Sequence, residues 1–193
     1  MAAIRDFGRI GEETVREIEL RTPAGGRAAI LTWGATLRDL EVPLGGGASR
    51  RVVLGWSSAE GCRDDAAYLG VIAGRVANRI GGGGFRLDGR HHALAVNEGA
   101  STMLHGGPRG FSRRNWSIEA ADEGSVTLAL VSEDGDQGFP GRVEMRCRYR
   151  LSEAATLAVE IEATTDAPTP VNPTNHAYFT LCRSEEHTSE LQS

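Results

Sequence analysis

The sequence contains no lysine, so all 21 of its basic residues are arginines. With 26 acidic residues, the formal net charge is -5 and the isoelectric point is near 5.6. A protein that binds nucleic acid normally presents a basic surface to the phosphate backbone. The charge balance therefore argues against a nucleic-acid partner, and we attribute the missing lysine to a GC-rich coding sequence.

Long hydrophobic runs are also missing, since no apolar stretch approaches the roughly 18 residues that a membrane-spanning helix needs. Residues 1–13 carry charges throughout and lack the apolar stretch of a secretory signal, so we expect a cytoplasmic protein with no membrane partner. The three cysteines, Cys62, Cys147 and Cys182, are far apart and odd in number. They fit neither a disulfide framework nor a paired-cysteine zinc site, and a reducing compartment agrees with them.

The sequence patterns that mark bound metals and cofactors are absent too. Histidine and cysteine show none of the short spacings of metal ligands, and acids such as Asp64 and Asp65 are typical of solvated loops. The glycine run at residues 81–84 is followed by neither the lysine nor the helix of a phosphate-binding loop. We therefore expect no metal and no cofactor, which leaves acid/base chemistry by side chains as the chemical option.

What the sequence does contain is apolar residues with a period of two, which is typical of strands. Residues 143–151 alternate apolar and charged residues, residues 157–163 repeat this pattern, and residues 126–130 form a third such segment. The dipeptide Asp88-Gly89 favours a two-residue hairpin turn. Among 25 glycines and 7 prolines, only residues 57–68 could hold a short helix. We predict an all-β fold in which antiparallel sheets pack as a sandwich.

Two of the five histidines have surroundings that favour a functional role. His105 precedes Gly106-Gly107 at a loop entry where another group can approach the backbone, and this suits a ligand site or a tight turn equally. His176 follows a polar segment at residues 170–175 and precedes aromatic residues. It could exchange a proton near neutral pH, or it could be a buried structural histidine. The other three lie beside the hairpin turn or in the C-terminal tail.

Asn78 and Arg79 offer hydrogen-bond donors and acceptors of the kind that recognise sugar hydroxyls, although they could instead satisfy loop backbone. Rings close to amides would also suit a sugar, because sugar faces stack on aromatic side chains while hydroxyls pair with amides. These residues therefore leave two functions open, an acid/base enzyme without a cofactor and a non-catalytic carbohydrate-binding module.

Five segments, taken in order, resemble the aldose 1-epimerase family, whose members are also called galactose mutarotases. The segments are Gly74-Arg75-Val76-Ala77-Asn78-Arg79-Ile80, Phe85-Arg86-Leu87-Asp88-Gly89, Leu104-His105-Gly106-Gly107 with Arg109-Gly110-Phe111, Asp134-Gly135 with Gly138-Phe139-Pro140-Gly141, and Asn175-His176-Ala177-Tyr178-Phe179. The resemblance runs from about Trp33 to Leu181, which makes it far more specific than any single motif.

The resemblance implies a large antiparallel β-sandwich of the galactose mutarotase-like kind. It also implies interconversion of the α and β anomers of free aldohexoses, such as galactose and glucose, with no metal or cofactor. By matched position, His176 would be the general acid that protonates the ring oxygen. Asn78, Arg79 and His105 would bind the sugar, and Tyr178 would lie near it.

The same resemblance predicts what this chain lacks. The family's general base is a glutamate near the C-terminus, and an aspartate that helps to hold the sugar also lies well beyond the His176 segment. Neither region has a counterpart here, so we expect residues 1–182 to be the N-terminal part of an epimerase domain. The sandwich would then be incomplete at its C-terminus, and the chain would be inactive by itself because it lacks the base.

Residues 183–193 differ in composition from the preceding chain and contain one apolar residue. Their sequence resembles a translated sequencing-library adapter, so we expect a non-native tail.

A variant of the epimerase hypothesis also stays open, in which the substrate is a hexose 6-phosphate. Additional arginines facing the site would favour that substrate, because guanidinium groups pair with phosphate.

Overall fold

The structure, a computed structural model, describes residues 2–153 and 156–180. In chain order its strands are β1 (Ala3–Ile10), β2 (Glu13–Arg21), β3 (Arg27–Leu31), β4 (Thr36–Gly45), β5 (Ala48–Arg51), β6 (Ile72–Ala73), β7 (Arg79–Ile80), β8 (Gly84–Leu87), β9 (Arg90–Ala93), β10 (Met103–Leu104), β11 (Ser117–Ala121), β12 (Ser125–Ser132), β13 (Val143–Ser152), β14 (Thr156–Thr165) and β15 (Thr174–Asn175). The helix α1 is Ala59–Asp64, and two 3-10 turns lie at Phe111–Arg113 and Asp136–Gly138. Within these residues, no helix has the length and apolar character needed to cross a membrane.

Two antiparallel sheets form the body of the fold. The first contains β1 to β5 in chain order, and the second contains β11 to β14 in chain order. Their apolar faces meet in one core, in which Ile18, Leu20 and Ile30 from the first sheet pack in a cluster with Leu128 and Tyr149 from the second. The predicted all-β sandwich is therefore confirmed. Three further strand pairs, β6 with β15, β7 with β10 and β8 with β9, complete the pairing.

The strands that the sequence predicts are present in the structure. Burial alternates along β13, and β13 pairs with β14 over its whole length, from Val143 opposite Thr165 to Ser152 opposite Thr156. The predicted hairpin joins β8 to β9 through Asp88 and Gly89. These two residues have φ angles of 49° and 76°, which are the left-handed conformations that a two-residue turn of this type requires.

The outer strand β14 is less buried than its neighbour β13. In the part of the chain that the structure describes, β14 is an outer strand of the second sheet. Its core-facing residues Leu157, Val159 and Ile161 are only half-buried, whereas Cys147 and Tyr149 on the neighbouring strand are fully buried. Apolar surface at the outer strand of a sheet invites pairing with further chain.

A buried arginine joins the loop after β6 to the second sheet. Arg75 is only 2% exposed, and its Nη1 donates to the carbonyl oxygens of Pro140 and Gly141, both at 2.9 Å. Its Nη2 donates to Ser132 Oγ at 2.7 Å, close to the end of β12. Burial lowers the pKa of the guanidinium. Because these acceptors are neutral, each hydrogen bond offsets part of the cost of removing the charge from water.

We expect the substitution Arg75→Met to destabilise the chain by about 2–4 kcal/mol, because several buried oxygens lose their only charged donor. The free energy of unfolding, measured by denaturant titration, checks this value. The matched control is Arg86→Met in the exposed β8–β9 hairpin, which should change the free energy of unfolding by less than about 0.5 kcal/mol. Equal effects of the two substitutions would contradict the structural role of Arg75.

Candidate functional site

His176 is held by backbone pairing between two distant parts of the chain. Strands β15 and β6 place Asn175 opposite Ile72. Just beyond them, the His176 N–H donates to the Val71 carbonyl at 2.8 Å, and the Gly70 N–H donates to the His176 carbonyl at 3.0 Å. Both backbone polar groups of His176 are therefore satisfied by the Gly70-Val71 segment, which limits where its imidazole can lie.

His105 is placed by an equally local pattern of hydrogen bonds. It follows β10 with a φ of 50°, and its N–H donates to the Asn78 carbonyl at 2.9 Å. The Asn78 N–H donates in return to His105 Nδ1 at 3.1 Å. An imidazole nitrogen that accepts a hydrogen bond carries no proton, so in the neutral ring the proton is on Nε2. Asn78 thus sets the tautomer of His105 and leaves an N–H free to donate.

Four rings form a partly exposed cluster around these two histidines. The imidazoles of His105 and His176 meet edge to face, with centroids 4.9 Å apart and planes at 88°. The ring of Tyr178 lies 5.3 Å from that of His176. The fourth ring is Tyr68, with its centroid 4.5 Å from His105 and 6.0 Å from His176. Donors and aromatic faces side by side are the combination that suits a sugar.

Arg79 reaches the cluster through Asn78 and is itself held by an acid. Its Nε and Nη2 donate to the two carboxylate oxygens of Glu98 at 2.6 and 2.8 Å, and its Nη1 donates to Asn78 Oδ1 at 3.1 Å. The bidentate pair lowers the pKa of Glu98 and raises that of Arg79, chiefly through the hydrogen bonds between them. Glu98 therefore stays ionised and orients the guanidinium.

The structure brings together all five residues that the sequence and the family resemblance single out. His105, His176 and Tyr178 contribute rings, while Asn78 and Arg79 join them through hydrogen bonds. Sequence reasoning missed two neighbours, Tyr68 and Glu98. Their types carried no distinguishing signal, because a tyrosine and a glutamate in loops are commonplace and only the folded chain places them beside His105 and Arg79.

The glycines after His105 are required by close packing of the backbone. A Cβ on Gly106 would lie 1.8 Å from the carbonyl oxygen of Gly74, and one on Gly110 would lie 2.5 Å from the carbonyl oxygen of His105. The close approach that these glycines permit is therefore between two segments of this chain. The tight-turn interpretation therefore accounts for Gly106. The turn also contributes to the site, because it brings His105 against the Gly74-Arg75 segment.

The surroundings of His105 disfavour its protonated form. The pKa of His105 is lowered, first because the ring is partly buried and then because positive charge on His176 and Arg79 opposes its protonation. A neutral His105 can donate a hydrogen bond through Nε2 without carrying charge. In the described parts of the chain, no group of three or more histidine, cysteine, aspartate or glutamate side chains is placed to hold a metal ion.

We expect His105 to titrate below the value of about 6.5 that is usual for histidine. Nitrogen-15 NMR of the imidazoles against pH measures this directly. Above its pKa, the spectrum should show the tautomer with the proton on Nε2, since Nδ1 accepts from Asn78. A pKa above 6.5, or a proton on Nδ1, would contradict the arrangement of Asn78 and His105.

The comparison with known sequences identifies one family. The family model for aldose 1-epimerase matches residues 16–193. Aldose 1-epimerase of Escherichia coli K12 is 43% identical over 166 residues, which are 86% of this chain and 48% of that protein. Human galactose mutarotase is 38% identical over 177 residues, which are 91% of this chain and 51% of that protein. The chain spans about half the length of these curated relatives.

Solved structures show the same fold. An aldose epimerase homologue from C. elegans matches with a TM-score of 0.81 and 34% identity, over 86% of this chain and 50% of that one. Galactose 1-epimerase from Lactobacillus acidophilus NCFM matches with a TM-score of 0.81 and 29% identity, over 94% of this chain and 53% of that one. The predicted galactose mutarotase-like sandwich is confirmed. Fold, family model and identities agree, and this chain belongs to the aldose 1-epimerase family.

Proposed function

We propose that this chain carries the acid side of an active site that interconverts the α and β anomers of free aldohexoses, such as galactose and glucose. The observation that carries the proposal is the contact of His176 with His105, whose ring is already fixed by Asn78. Because Asn78 holds His105 as a hydrogen-bond donor, His176 is the imidazole that is left to transfer a proton. Such a division of roles is what an acid/base site for a polyhydroxylated ring requires.

In the proposed reaction, His176 gives a proton to the ring oxygen as a base removes the proton of the anomeric hydroxyl. The bond between the anomeric carbon and the ring oxygen breaks, and an open-chain aldehyde forms. Rotation about the adjacent carbon–carbon bond presents the other face of the aldehyde. Reclosure returns both protons, so His176 and the base end as they began. Only protons and one carbon–oxygen bond change, and the route needs neither metal nor cofactor.

The substrate-binding residues hold the sugar while this happens. Asn78, Arg79 and His105 would pair with its hydroxyls through the amide, the guanidinium and the Nε2 proton. Tyr178, which is 40% exposed beside His176, would contact the ring. These roles follow from the polarity of the groups and from their common location.

The general base is the missing part. Glu98 is the carboxylate paired with Arg79, but that pairing lowers its pKa and makes it a poor proton acceptor. We therefore assign no base within the residues that the structure describes. In our proposal, the base lies in the part of the relatives' sequences that this chain does not match. The chain alone would therefore bind sugar without accelerating mutarotation.

A free sugar fits this chain better than a phosphorylated one. Both arginines of the segment Gly74 to Ile80 already have partners: Arg75 is buried among oxygens of the second sheet, and Arg79 is engaged by Glu98. Arg113 donates to the carbonyls of Arg63 and Asp65 at 2.9 and 3.0 Å. A phosphate that pairs with Arg75, Arg79 or Arg113 would have to displace one of these interactions. If these are the arginines it meets, galactose 6-phosphate should compete for the sugar site no more strongly than galactose.

We also propose a cytoplasmic location and an epimerase domain that covers residues 1–182, with residues 183–193 foreign to it. Cys62 and Cys147 are buried free thiols, and burial raises the pKa of each to about 12, which agrees with a reducing compartment. Cys182 and residues 183–193 lie outside the described residues, so the boundary rests on the composition of this tail and on its resemblance to a translated adapter, and not on the family match, which runs to residue 193. Resequencing the source DNA from the codon of Thr180 onward tests it directly.

The activity can be tested by restoring the missing part. Residues 1–180 are joined to the region of the Escherichia coli relative that follows its matched segment, and mutarotation of α-D-galactose is followed by polarimetry. We expect the chimera to accelerate mutarotation. His176→Ala should lower kcat by about a hundredfold or more, because the general acid is lost.

The chimera has two matched controls. His92→Ala alters a hairpin histidine and should leave kcat unchanged, and the unjoined chain should show only the spontaneous rate. A folded chimera with no activity would overturn the proposed function. A His176→Ala chimera as fast as its parent would overturn the assignment of the general acid.

A further inference from the structure

A tyrosine in the sandwich core reaches the segment that carries His176. Tyr149 lies on β13 and is fully buried. Its hydroxyl donates to the carbonyl of Ala35 at 2.6 Å and accepts from Asn175 Nδ2 at 3.0 Å. A tyrosine hydroxyl has a single proton, so once that proton is directed at Ala35 the oxygen can only accept from Asn175. The orientation of this pair is thereby determined.

The hydroxyl is also locked in its protonated form. Burial raises the pKa of Tyr149 well above its ordinary value, and no positive group of the described residues lies beside it to compensate a phenolate. The groups that face it are the Asn175 amide, the Ala35 carbonyl and the buried thiol of Cys147. All three are neutral. The link between Tyr149 and Asn175 should therefore be constant over the whole physiological pH range.

The side chain of Asn175 connects Tyr149 to the backbone around His176. Its Oδ1 accepts from the Ala177 N–H at 3.1 Å, so the side chain closes a turn that has His176 as its central residue. Its Nδ2 donates to the Gly70 carbonyl at 3.2 Å as well as to Tyr149. An inverted amide would point oxygen at the Gly70 carbonyl and a donor at the Ala177 N–H, so only one orientation satisfies all the groups.

We propose that Tyr149 is a positioning residue for the imidazole of His176, which it holds in place through the amide of Asn175. This inference deepens the proposed function, since His176 is the proton donor in that reaction. Tyr149 itself touches no substrate. Its hydroxyl is the only part of the side chain that reaches the His176 segment by a hydrogen bond, and the ring serves the core.

The variant Tyr149→Phe removes the hydroxyl and keeps the ring. Asn175 Nδ2 is then left with the longer bond to Gly70, and the Ala35 carbonyl loses its donor. We expect the His176 imidazole to sample more than one orientation. In nitrogen-15 and carbon-13 NMR spectra of this chain, its ring signals should shift or broaden, while those of His92 in the hairpin stay unchanged.

Two further variants separate positioning from general destabilisation. Met145→Ala opens a cavity on the same strand, at a residue that is 1% exposed and has no hydrogen bond to Asn175. It should lower stability and leave the His176 signals unchanged. Asn175→Asp replaces the Nδ2 donor by an oxygen and should reproduce the effect of Tyr149→Phe on His176. It gives an independent test if Tyr149→Phe does not fold.

The outcomes are distinguishable from those that bear on the proposed function. Unchanged His176 signals in Tyr149→Phe or in Asn175→Asp, or equal changes in Met145→Ala, would overturn the positioning role. In the chimera, Tyr149→Phe should lower kcat about tenfold with little change in KM, because misorientation of a reacting group affects the chemical step more than binding. A changed His176 spectrum in an inactive chimera would support the positioning role and count against the epimerase activity alone.

Discussion

The site depends on the pairing of two segments, residues 70–77 and 172–177, which lie about a hundred positions apart in the chain. The Ala77 N–H donates to the Asn172 carbonyl at 2.8 Å, and the Asn172 N–H donates to the Arg75 carbonyl at 3.0 Å. The same segments continue through β6 and β15 to His176. This pairing brings His176 close to His105, because β6 with β15 is the strand pair of the described chain that joins the residues after Val71 to the residues before His176.

The short motif Gly74 to Ile80 contains two arginines that lie in different surroundings. Arg75 turns inward and binds oxygens of the second sheet, whereas Arg79 turns outward and is held by Glu98. Arg75 anchors the segment that contains Asn78 and Arg79. In the proposed function, stability and sugar binding are therefore coupled here, since any movement of the anchor would displace the groups that are to meet the sugar.

The strands and the hairpin could be predicted because their signals are local: a period of two in β13 and β14, and Asp88-Gly89 at the turn. His105 and His176 could be selected by residue type and neighbours. The inward turn of Arg75, the pairing of Glu98 and the contact of Tyr68 with both histidines could not. Each depends on segments that meet only after folding, and an arginine looks the same in sequence whether it is buried or exposed.

The central claim is that this chain holds the acid side of a sugar site, with His105 and His176 at its centre. Titration of the chain with D-galactose, followed by histidine NMR, tests it most directly. We expect the ring signals of His105 and His176 to shift with a saturable dependence on sugar, while those of His91 and His92 do not move. Equal shifts at all four rings, or none at any sugar concentration, would contradict the account.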